Sequence, residues 1–125
     1  MDSQLLRKLK QDENGLLTYE FIANNIDNDV ENIMDELIDN MIDVDKTGQF
    51  VVSTARYLNA IDKEKFAPHI DRLIKAAIVS DRERAYLPDL AASIWGNDYK
   101  LRATQLSASD DNFRRIYKRL YPIGI

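Results

Sequence analysis

Glu31, Asp35, Asp39 and Asp43 stand four residues apart. On a helix of 3.6 residues per turn this spacing draws one stripe that drifts by ~40° per step. A stripe of carboxylates can steer a basic partner or hold a cation. It belongs to a longer segment, residues 11–45, with eleven acids and no Lys or Arg. The seventeen bases elsewhere face ten acids, so a formal net charge of −4 divides into −11 here and +7 in the remainder. Like charges at this spacing repel by ~0.2–0.5 kcal/mol per pair. Asp39, Asp43 and Asp45 also meet the negative end of the helix dipole. The total cost, about 1 kcal/mol, is small beside the ~5–15 kcal/mol stability of a domain. Solvent alone, the protein's own bases (Lys75, Arg82 or the cluster at 114–119) or an external basic surface or cation would offset it.

Residues 43–50, Asp-Val-Asp-Lys-Thr-Gly-Gln-Phe, resemble the first two-thirds of an EF-hand loop. Asp43, Asp45 and Thr47 take the first three ligand positions and Gly48 the sharp turn. Thr54 stands where the bidentate Glu belongs, and no second loop pairs with this one. A turn between two helices, with Gly48 left-handed, accounts for the same residues. The expectation is therefore no cofactor and no metal, with a cation-responsive module on Asp43, Asp45 and Thr47 as the alternative. Cysteine is absent, which excludes disulfides and thiolate metal sites. His69 is the single histidine and stands in no catalytic motif. No phosphate-binding loop, nucleophile elbow or zinc-protease motif occurs, so the chain reads as a binding protein and not an enzyme.

At the other end, Arg114, Arg115, Lys118 and Arg119 oppose an apolar face of Phe113, Ile116, Tyr117, Leu120 and Tyr121. A basic amphipathic helix of this kind can lie on phosphate backbones. A pI near 5.0 makes the whole chain a poor nucleic-acid binder, so contact through this helix stands as an alternative.

Apolar residues recur at helical spacing through most of the chain, and no segment reads as a strand. Asp2 or Ser3 caps a first helix carrying Leu5, Leu6 and Leu9, and Thr18 starts a second. Further helices are expected over about 29–44, 50–61, 68–79, 88–95, 98–106 and 109–120, the last capped by Ser109. Pro68 and Pro88 suit first turns. The expected fold is one all-α domain, residues 1–125, of seven to eight short antiparallel helices. These form either a stack of hairpins or an irregular bundle.

A repeat appears at an offset of 36 residues. Asp35-x-Leu37-Ile38 matches Asp71-x-Leu73-Ile74, Asp45-Lys46 matches Asp81-Arg82, and Ala55 matches Ala91. Residues 66–97, with Pro68 early, Asp81-Arg82 at the turn and Ala91-Ala92 in the second helix, resemble a HEAT-type repeat. That resemblance implies stacked helical hairpins. In size, acidity and helical style the chain also resembles the bacterial immunity proteins of interbacterial toxin systems, including contact-dependent inhibition. This resemblance implies a basic toxin partner, with a nuclease as one such toxin, neutralised by occlusion or mimicry. Glu31, Asp35, Asp39 and Asp43 would face its Lys and Arg side chains, with Tyr19, Phe21 and Tyr57 as anchors. The closing Gly124-Ile125 resembles the tails that dock into cysteine synthase. No segment has the apolar core of a signal peptide or the ~18 apolar residues of a membrane span, so a cytoplasmic location away from membranes is expected.

Overall fold

Each apolar stretch of 3.6-residue periodicity folds as a helix and turns its apolar stripe inward. The computed structural model describes residues 1–28 and 30–122. Among them are α1 (Ser3–Lys10), α2 (Leu16–Asn24), α3 (Met34–Val44), α4 (Gln49–Asp62), α5 (Ala67–Ser80), α6 (Leu87–Trp95), α7 (Ala103–Ser109) and α8 (Asp111–Leu120), with a 3₁₀ turn at Val30–Ile33 before α3. No strand occurs among the described residues. The Gly124-Ile125 tail lies outside them.

The most extensive pairing, α4 against α5, joins two layers. In one α3 packs against α1 and α5; in the other α4 packs against α2 and α6, and α6 against α8. Between the layers lie fully buried Ile22, Leu37, Met41, Leu58, Leu73, Leu90 and Phe113. Each such side chain contributes ~1.5–3 kcal/mol by leaving water. Val51 and Val52, poor residues for a helix start, are buried in α4, where packing overrides their weak propensity.

The turn inside each hairpin starts with an aspartate that caps the helix after it. Asp45 is 1% exposed, and its carboxylate accepts the N–H groups of Thr47, Gly48, Phe50 and Val51 at 2.8–3.0 Å. Asp81, also 1% exposed, accepts those of Ala85, Tyr86 and Leu87. Asp12 accepts those of Asn14, Gly15 and Thr18, together with the Thr18 hydroxyl. Asp110 accepts the Phe113 N–H and the Trp95 indole N–H. A buried charge needs compensation, and here the unpaired N–H groups and positive dipole end of a helix supply it.

Two glycines set the spacing of these turns. Gly15 (φ +105°) and Gly48 (φ +91°) are left-handed, three residues after Asp12 and Asp45. A Cβ on Gly15 would meet Met41 Sδ at 2.8 Å and Phe50 Cβ at 2.9 Å; one on Gly48 would meet Asp81 Cβ at 2.9 Å. Each glycine thus rests against the next hairpin, and only a residue without a side chain permits that approach. Arg84 takes the corresponding position after Asp81 with φ +56°.

Some expected boundaries move. Residues 98–102 form successive turns, with the Leu101 and Arg102 N–H groups bonded to the Asp98 and Tyr99 carbonyls, and α7 starts only at Ala103. Asp110 and not Ser109 caps α8, because the Ser109 hydroxyl bonds back to the Gln105 carbonyl and ends α7. Thr18 does not open α2; it lies inside the helix, bonded to Asp12.

Asp45→Ala leaves buried N–H groups without an acceptor and is expected to cost about 2–3 kcal/mol in urea unfolding. Exposed Asp43→Ala, two residues away, should stay within about 0.5 kcal/mol of wild type. For Asp12, burial pushes the carboxyl up, but the N–H and hydroxyl of Thr18, with the Gly15 and Asn14 N–H groups, outweigh it and hold the group below its usual 3.8. Its stabilisation is therefore present above the unfolded value and is lost as pH falls through the folded one. Asp12→Asn should be about 1–2 kcal/mol less stable near neutrality and lose less on acidification, read from urea curves across a pH series.

Candidate functional site

Asp35, Asp39 and Asp43 are exposed along α3 and Glu31 on the 3₁₀ turn before it, but the chain supplies counter-charges. Glu31 pairs with Lys65, and Asp39 with Arg72 of α5. Arg72 also lies 3.8 Å from Asp35, whose Oδ1 stands 3.4 Å from His69 Nδ1. That nitrogen makes no hydrogen bond. Glu36 is 3.3 Å from the amino group of Met1. Asp43 is exposed and has no ion pair among the described residues. With Glu36, Asp39 and Asn40 it lines a groove that Leu6 and Lys10 of α1 close. The stripe is thus partly neutralised within the fold. Asp35 and Asp39 nevertheless keep 81% and 65% of their side-chain surface open to solvent.

The aromatic candidates lie on the other layer. Tyr19 of α2 and Tyr57 of α4 meet edge to face with ring centres 6.3 Å apart, and the Tyr57 hydroxyl donates to the Ala23 carbonyl. Both line a groove of about 550 Å³ that reaches Ser93 of α6. Arg56 donates through Nε to the Ser93 hydroxyl at 2.7 Å, and Asn59 donates to the Ser93 carbonyl. Phe21 is half-buried against the core and does not line this groove. The fold therefore brings Tyr19 and Tyr57 together, and separately gathers Asp35, Asp39 and Asp43 on α3. It does not merge the two sets into one surface.

The EF-hand-like stretch is occupied by the turn itself. Asp45 gives both carboxylate oxygens to backbone N–H groups, and Thr54, at the closing position, donates to the Phe50 carbonyl. Of the alternative metal set Asp43, Asp45 and Thr47, Asp45 is a buried helix cap and Asp43 and Thr47 are exposed. No group of three or more His, Asp or Glu side chains is arranged to hold a metal among the described residues.

The basic helix is also partly committed. Arg114 pairs with Asp111, and Arg119 donates to the Ile78 carbonyl of α5. Reading the sequence missed Arg72, Lys65 and Arg56. For Arg72 the signal was present, since the 36-residue offset puts it in register with Glu36, on the adjacent helix of a stack. Arg56 gave none, because nothing in its spacing ties it to Ser93.

No protein-family model, curated protein or solved structure matches the chain. No helix among the described residues is long and apolar enough to cross a membrane.

Arg72→Ala should change the unfolding free energy by less than about 1 kcal/mol, as exposed ion pairs do. Leu73→Ala, one residue on and fully buried, should cost about 2–5 kcal/mol in the same urea titration.

Proposed function

We propose that the chain is a protein-interaction module that presents the α3 acids to a basic partner, in the manner of an immunity protein that neutralises a toxin. The observation that supports this is the exposure of Asp35 and Asp39, which share one guanidinium, beside unpaired Asp43. A surface ion pair is worth ~0–1 kcal/mol, so Arg72 yields its carboxylates to incoming Lys or Arg groups at little cost. Charges so placed accelerate encounter and select the partner. The stacked hairpins, with aspartate caps at 12, 45 and 81, are in keeping with a HEAT-like architecture, which suits a rigid binding face. A nuclease toxin, whose own substrate is anionic, is the partner whose surface best complements these acids.

An affinity pulldown from the native host tests the proposal. A single basic protein should be recovered at low salt and released at high salt and by Asp35→Lys with Asp39→Lys. Arg72→Ala frees both carboxylates and should retain the partner to higher salt than wild type. Retention indifferent to salt and to all three substitutions would refute the acidic face.

A further inference from the structure

Helices α7 and α8 and the turn before them border an open cleft of about 540 Å³. Lys100, Thr104, Ser107, Tyr117, Lys118 and Tyr121 line it, and every one of these side chains ends in an N–H or O–H donor. No carboxylate lines the cleft among the described residues. Arg114 lines it too, paired at the surface with Asp111 at 2.6 and 3.0 Å. Lys118 is exposed and has no ion pair among the described residues. The Lys100 ammonium lies 5.1 Å from the centre of the Tyr121 ring. That ammonium holds the Tyr121 phenol below its usual range, against the effect of burial, and Tyr121 in turn raises Lys100. The cleft is positive and rich in donors on a chain whose net charge is −4.

We infer that the α7–α8 cleft binds a small phosphate monoester, with Lys100 and Lys118 as its counter-charges and the Thr104, Ser107 and tyrosine hydroxyls as neutral donors. Lysine serves phosphate as a point charge, and hydroxyls complete the oxygen shell. The volume falls within the ~300–1,000 Å³ of small-molecule sites and suits one phosphate with a sugar or nucleoside. A polymer fits less well. Arg119, beyond the cleft on α8, donates to the Ile78 carbonyl, and the net charge of −4 disfavours a polyanion.

Calorimetry of the full chain with inorganic phosphate, ribose 5-phosphate and AMP tests this, with adenosine as the uncharged control and a short single-stranded RNA as the competing class. The phosphates should give saturable heats and adenosine none. The Lys100→Gln, Lys118→Gln double variant should melt like wild type and bind at least about tenfold more weakly. Tyr121→Phe, which removes one donor and no charge, should weaken binding by a smaller factor and serves if the double variant fails to fold. Absence of heat from every phosphate at millimolar concentration would overturn the inference, as would equal affinity in the variants. RNA bound more tightly than any monoester, with steep salt dependence, would replace it with a nucleic-acid surface.

Discussion

A carboxylate buried in a turn and received mainly by backbone N–H groups organises this protein. Asp12, Asp45 and Asp81 repeat the arrangement in successive hairpins, each accepting an amide six residues ahead. Such a charge is tolerable inside a protein only when the donors are already aimed at it. The first turn of the following helix has those donors free and adds its dipole. Aspartate and helix therefore stabilise each other at the turn that joins two helices. The glycines add the second dimension, because Gly15 and Gly48 let each turn rest on the next.

Polar groups extend this order into the core. Asn40 donates to the Leu9 carbonyl and to the Thr18 hydroxyl, which itself donates to Asp12. One buried network therefore joins α1, α2 and α3. At the far end Asp71, held below its usual range by Lys75 and by Asn112 despite burial, links α5 to α8. A fully paired network of this type favours one register of the stack over its neighbours, since any slip leaves donors or acceptors bare.

The charge segregation has a double reading that follows from the same stack. Two acids of the segment 11–45, Asp12 and Asp45, are buried caps that no partner can touch. Glu31, Asp35, Glu36 and Asp39 meet cations of the chain, yet do so at the surface, where water and salt weaken the attachment. What a partner would encounter is a ridge whose internal pairs are exchangeable. The aromatic groove of Tyr19 and Tyr57 belongs to the opposite layer and does not share that field.

Residue type and spacing determined the helical class, most helix limits, and the 36-residue relation between Asp45 and Asp81. Periodicity, proline and glycine act over a few residues, so they are readable along the chain. Asp12 escaped the repeat because its distance to Asp45 is 33 residues, and a changed hairpin length hides an equivalent position from a fixed offset. The late start of α7 and the capping of α8 by Asp110 escaped for a different reason: Asp98 and Ser109 are equally plausible ends until their hydrogen bonds are seen. Of the candidate site, the spacing placed Asp35, Asp39 and Asp43 along α3, while Glu31 falls in the 3₁₀ turn before it. Only tertiary packing decided that Arg72 lies across Asp35 and Asp39, that Tyr19 and Tyr57 occupy another face, and that Asp45 is a cap where a cation ligand was conceivable. A carboxylate's role depends on which donors reach it first, and those donors come from elements brought together only by folding.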